Sequence, residues 1–150
     1  MKKLATFILC IAFAFSLSAP VLAAPHSNIV YSNVTTLENG MSLTEEIIDV
    51  SSARSTDKAY ICRSTYAQDG ETMAIIAFSA TYRYDGSSVS VISKTVIQTD
   101  VYNGWTFTQK SFTSSGGTVT LTGKLSKWLI FNNSISMSMT CDKNGNISYS

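Results

Sequence analysis

Ser134-Ile135-Ser136-Met137-Ser138-Met139-Thr140-Cys141 sets four apolar side chains against four hydroxyl-bearing ones in strict alternation. Successive side chains of an extended strand point to opposite faces, so this spacing describes a strand with one buried and one wet face. The same period governs Ile76, Phe78, Ala80, Tyr82 and Tyr84, which alternate with Ala77, Ser79, Thr81 and Arg83. It returns in Val89 and Val91, and again in Val119, Leu121 and Leu125 among threonines and Lys124. One-sided strands belong to antiparallel sheets, whose second face can meet water. No segment after residue 58 keeps helical spacing for three turns.

Between the alternating runs lie pairs of residues that tolerate positive φ. From residue 58 on they are Asp69-Gly70, Asp85-Gly86, Asn103-Gly104, Gly116-Gly117, Asn132-Asn133 and Asn144-Gly145. Two-residue hairpin turns require such pairs. Six turns predict about seven strands from Lys58 to Tyr149. The expected fold is all-β, a small antiparallel β-sandwich of hairpins, with a small closed β-barrel as the alternative. Upstream, residues 24–57 read as an N-terminal strand and linker segment, preceding a domain over 58–150. Asn39-Gly40 suits a hairpin. Ser42-Leu43-Thr44-Glu45 fits both a helix capping box and an alternating strand, and the strand is preferred. The polar run 51–57 reads as a loop.

The first 23 residues have a different logic. Lys2 and Lys3 precede an uncharged apolar run from Leu4 to Leu17, Pro20 follows, and Val21-Leu22-Ala23 offers a cleavage site. This is the pattern of a secretory signal peptide, cut after Ala23. The run is shorter than the roughly 20 apolar residues of a membrane-spanning helix, so no stable anchor is expected. Export would place the protein outside the cell.

Composition narrows function mainly by exclusion. The 150 residues hold 11 basic and 10 acidic side chains, a net charge of +1, with 45% hydrophobic residues and one histidine. So balanced a chain lacks the Lys and Arg that phosphate neutralisation demands, which excludes a strongly basic nucleic-acid binder. Cleavage after Ala23 would remove Lys2, Lys3 and Cys10, leaving a charge of −1 and two cysteines. In an oxidising compartment Cys62 and Cys141 are expected to pair. That bond would close a loop of 79 positions and stabilise the fold by about 4–4.5 kcal/mol. Both cysteines sit on the apolar parity of their strands, Cys62 with Tyr60 and Ser64, Cys141 with Met137 and Met139.

Catalytic chemistry finds little material. His26, the only imidazole, falls three residues past the expected cleavage point, so no catalytic triad is expected. Asp57, Glu71, Asp100 and Asp142 are scattered on polar stretches and do not suggest a paired-carboxylate hydrolase. Asp142, Asn144 and Asn146 space oxygen donors as a calcium loop begins, but the glycine is misplaced and the bidentate Glu is missing. A hairpin turn explains them better. No metal, cofactor or catalytic residue is therefore assigned. The aromatics Tyr82, Tyr84, Tyr102, Trp105 and Phe107 read mainly as core. Tyr102, Trp105 and Trp128 form the candidate ligand platform, because flat π faces stack on sugar rings. Trp128-Leu129-Ile130-Phe131 cannot all face one core from a regular strand; a bulge or a buried central strand is the preferred account, with an exposed interaction patch as the alternative.

Four segments together resemble a family of small exported proteins of unknown function from clostridia and related Gram-positive bacteria. They are Phe78-Ser-Ala-Thr-Tyr-Arg-Tyr-Asp-Gly-Ser-Ser-Val89, Tyr102-Asn-Gly-Trp105, Ser114-Ser-Gly-Gly-Thr-Val-Thr120 and Cys141-Asp-Lys-Asn-Gly-Asn146. The resemblance covers roughly residues 40–150 and implies secretion, a β-rich fold and an unassigned role; it brings no catalytic residues to carry over. The expected function is a secreted, non-catalytic binding protein at or beyond the cell envelope, with a cell-surface glycan or protein as partner. The alternative is a bacteriocin-like or membrane-active antagonist that inserts residues 128–131, flanked by Lys124 and Lys127.

Overall fold

A computed structural model describes residues 28–52, 55–128 and 131–150. The expected signal peptide, and His26 with it, lies outside the described residues. Nine strands form in chain order: β1 (Asn28–Thr36), β2 (Ser42–Asp49), β3 (Lys58–Gln68), β4 (Glu71–Tyr84), β5 (Val89–Val101), β6 (Trp105–Ser115), β7 (Thr118–Lys127), β8 (Phe131–Cys141) and β9 (Ile147–Tyr149). They make two antiparallel sheets, ordered β1-β2-β3-β4-β5 and β6-β7-β8-β9. No closed barrel forms among the described residues. Every neighbour in either sheet is also a neighbour in sequence, as a chain of hairpins requires.

Residues 28–49 are not a loose leader to this arrangement. The Asn39-Gly40 turn closes the β1–β2 hairpin, with Gly40 at a φ of 77° and its N–H donated to the Leu37 carbonyl. β2 then pairs with β3 along its full length, from Ser42 opposite Ala67 to Asp49 opposite Tyr60. The strand reading of Ser42 to Glu45 is the one that forms.

The two sheets close on a single core. Ile76, Phe78, Ala80 and Tyr82 of β4 are buried, as are Val119, Leu121 and Leu125 of β7 and Ile135, Met137, Met139 and Cys141 of β8. The ring of Phe78 meets that of Phe112 on β6 at 5.5 Å. Tyr82 Oη crosses the core to donate to the Met139 carbonyl at 3.0 Å. A buried phenol needs such a partner, because an unmatched hydroxyl would cost about 1–3 kcal/mol. The solvent face of the second sheet carries ranks of hydroxyls that bond across the strands. Ser111 pairs with Thr122 at 2.6 Å, Thr120 with Ser138 at 2.9 Å and Thr118 with Thr140 at 2.8 Å.

The sheet edges are interrupted. On β1 the residue without a register partner is Val30, on β5 Ile92 and Ile97, and on β6 Lys110. These bulges twist the edge strands and break the row of backbone groups another strand would need. The fourth edge, β9, has only three residues.

Two sequence expectations fail here. Asn132-Asn133 is not a turn; both residues lie in β8, opposite Ser126 and Leu125 of β7. Asn103-Gly104 has turn geometry, with φ of 53° and 78°, but it joins no hairpin. β5 pairs with β4 and β6 with β7, so this turn carries the chain from one sheet to the other.

The expected disulfide is absent as well. Cys62 and Cys141 are both buried free thiols. They do face the same core, but at different levels. Cys62 stands opposite Ile47 and Phe78 in mid-strand, whereas Cys141 ends β8 beside Gly117 and Ile147. Tyr60 and Tyr82 fill the intervening rungs, their rings 6.3 Å apart. Burial pushes the Cys62 thiol far up, and burial followed by the Asp142 charge pushes Cys141 up to about 11. Only the thiolate attacks an alkylating agent. Iodoacetamide without reductant, near pH 8, is therefore expected to leave both residues unmodified in the folded protein and to label both in guanidinium. Recovery of a Cys62–Cys141 cross-linked peptide would overturn this.

Candidate functional site

Four connections gather at one end of the two-sheet stack: 37–41, 69–70, 102–104 and the turn after Lys127. Each is fixed by its own chemistry. In the first, Leu37 N–H donates to the Met41 carbonyl and Asn39 Oδ1 accepts the Met41 N–H. In the second, Asp69 and Gly70 take φ of 52° and 82°. The third is anchored by a bulge in β4. Met73 has no partner in the β3 register, and its carbonyl instead accepts the Tyr102 N–H at 2.9 Å.

The fourth connection holds Trp128. Its backbone φ is 52°, a left-handed conformation that costs a bulky L-residue about 1–2 kcal/mol. Its ring is 77% exposed. Lys127 Nζ lies 5.7 Å from the Trp128 ring and 6.0 Å from that of Trp105, within cation–π range of both. The indole edge rests over Gly104, where an added Cβ would stand 3.7 Å from Nε1. Tyr102 is 43% and Phe131 42% exposed. Three flat apolar surfaces thus reach solvent at this end.

Trp105 does not join them. As the first residue of β6 it turns into the core, only 4% exposed, with its ring 6.0 Å from Phe131. Its buried Nε1–H has no hydrogen-bond partner among the described residues. Of the sequence-derived platform, Tyr102 and Trp128 are displayed and Trp105 is the buttress beneath Lys127 and Phe131. Tyr82 is core, while Tyr84 and Phe107 are packed against it. β7 ends at Lys127, Trp128 stands in the turn that follows and Phe131 opens β8; Leu129 and Ile130 lie outside the described residues.

A cavity of about 490 Å³ opens beside this aromatic group, lined by Gln68, Asp69, Glu71, Met73, Asn103 and Lys127. Asn103 Nδ2 donates to Glu71 Oε2 at 3.4 Å and approaches Met73 Sδ at 3.9 Å. A second cavity of about 400 Å³ lies on the other side of the Tyr66–Gln68 strand end, between the 37–39 turn and the first residues of β8. Both volumes fall within the ~300–1,000 Å³ of small-molecule sites.

The scattered carboxylates stay scattered. Asp57 is held by Arg83 at 2.7 and 2.8 Å, and that hydrogen bond keeps its carboxyl below the ordinary range. Asp142 accepts the Asn146 side chain at 2.7 Å and the backbone N–H groups of Asn144 and Asn146, which lowers its pKa likewise. Its oxygens serve the β8–β9 hairpin. Asp100 accepts from Gln98. Of the four, Glu71 lines the cavity of about 490 Å³, where its carboxylate neighbour is the turn residue Asp69.

Comparison with known proteins finds no matching family model, no matching curated protein and no matching solved structure.

Proposed function

We propose that this chain is an exported, non-catalytic binding protein that takes a carbohydrate chain at the loop end of its two sheets. The export half rests on the leading Lys2-Lys3, the uncharged run and the Val21-Leu22-Ala23 site, and it accords with the resemblance to small secreted Gram-positive proteins. The observation that carries the binding half is Trp128, a large apolar ring held out in solvent on a left-handed backbone. Strain of this kind persists only where surrounding structure imposes it, and it clusters at functional positions.

The chemistry beside the ring selects the ligand class. A pyranose lays its C–H face on an aromatic ring and directs its hydroxyls outward. Gln68, Asp69, Glu71, Asn103 and Lys127 supply acceptors and donors at the ring's flank, the arrangement that satisfies adjacent hydroxyls. The same two carboxylates would repel an anionic bilayer, which disfavours the membrane-active reading. Calorimetric titration with neutral oligosaccharides, with liposome dye release alongside, tests the proposal. Wild type is expected to bind oligosaccharide and leave anionic vesicles intact, and Trp128→Ala combined with Tyr102→Ala to abolish binding while the far-ultraviolet spectrum is kept. Vesicle leakage without oligosaccharide binding would replace this reading with the antagonist one.

A further inference from the structure

We infer that the two cavities at this end are consecutive subsites for one glycan chain, and that the cavity beside β8 selects an N-acetylated sugar; this rests on the carbohydrate reading above. The cavities are neighbours. Tyr66 lines one and Gln68 the other, two positions and about 7 Å apart along β3. Across the stack Lys127 walls the first and Asn132 the second. Lys127 pairs with Phe131, the neighbour of Asn132, so in both sheets the linings adjoin, as subsites for successive rings of one chain must.

Their linings differ in a way that assigns the units. The cavity walled by Lys127 is polar apart from Met73, which suits a ring bearing hydroxyls alone. The other sets Leu37, Leu43 and Ile135 against Glu38, Asn132 and Asn133. An acetamido group needs such a mixture: an apolar wall for its methyl, a carboxylate or amide oxygen for its N–H, and an amide N–H for its carbonyl.

The amide donors are held in reserve. Asn133 Nδ2 and Asn39 Nδ2 both point at the sulfur of Met41, at 4.0 and 3.2 Å. A thioether is a weak acceptor, so an amide N–H parked on it gains by turning to a carbonyl oxygen. On the far side Asn103 is poised similarly between Met73 Sδ and Glu71.

The experiment titrates the folded protein with N-acetylglucosamine oligomers of one to four units and with glucose and glucosamine oligomers of matched length. Affinity is expected to rise about tenfold or more from one unit to three, and the N-acetylated series to exceed the glucose series by about tenfold. Asn133→Ala should cut that preference to about threefold or less. Asn133→Asp, which keeps the size of the side chain but removes the amide donor, gives the same readout if Asn133→Ala fails to fold. Equal affinity for glucose and N-acetylated chains, no gain with length, or preference for the glucosamine series, which would make Glu38 part of a cation site, each overturns the inference. In those cases a loss of all binding in Trp128→Ala would still uphold the carbohydrate reading. Failure of wild type to bind any series sinks both.

Discussion

Phe78→Ala is expected to remove about 3–5 kcal/mol of folding stability, the usual cost of deleting a buried aromatic ring. Phe78 is completely buried on β4 and is the inner member of a three-part contact between the sheets. Its ring packs on Phe112 at 5.5 Å, and Phe112 in turn carries Lys94 Nζ 4.8 Å from its centroid. The same ammonium donates to the Phe112 carbonyl at 2.9 Å, so β5 of one sheet holds β6 of the other through a single residue. The ring's removal therefore opens a cavity at a sheet-to-sheet contact, where neither backbone ladder can move in to fill it. Against a domain stability of roughly 5–15 kcal/mol the loss is large. Guanidinium titration of wild type and variant measures it. A loss below about 1 kcal/mol would show that the sheets reseat around the gap.

The second large effect separates folding from binding. Trp128→Gly should leave stability unchanged or raise it by up to about 1 kcal/mol, since glycine adopts a φ of 52° without steric cost but loses more chain entropy on folding. Oligosaccharide affinity should fall about 30-fold or more, the scale of a central aromatic contact. Thermal melts and calorimetry on the same samples read both quantities. A clearly destabilised variant would mean that the indole over Gly104 and beneath Lys127 secures the turn, and that its exposure serves no ligand.

Much of the fold was legible because its determinants are local. The alternation around Ile76–Tyr82 and Ile135–Cys141 needs no knowledge of partners to identify a buried face, and every one of those inward residues other than Tyr84 is buried. Asp69-Gly70, Asp85-Gly86 and Gly116-Gly117 announced hairpins by their tolerance of positive φ. Asn103-Gly104 has the same chemistry yet links two sheets, because pairing is decided by which strands must cover the core and not by the turn itself. Cys62 and Cys141 were placed correctly by face and wrongly by level: parity along a strand says nothing about height across the sandwiched layers. The site was least legible. Its cavities arise where four turns distant in sequence converge, and nothing in the identity of Trp128 signals a left-handed backbone that tryptophan rarely adopts. One signal was available. Asn39 and Asn103 sit in turns and Asn133 near the start of β8, all at one end of the stack, and once the register is known they fall beside Met41 and Met73.

The order in which the strands are laid down has a consequence for how the molecule can be taken apart. The first sheet ends at residue 101 and the second begins at 105, and among the described residues they share no ladder. A protease cut at Asn103-Gly104 would yield two fragments, each a complete meander with its own hydrogen bonds and half of the apolar interior. Such halves, expressed separately, are suited to reassemble by mutual burial, and the two loop-end cavities, each lined from both, would exist only once they meet.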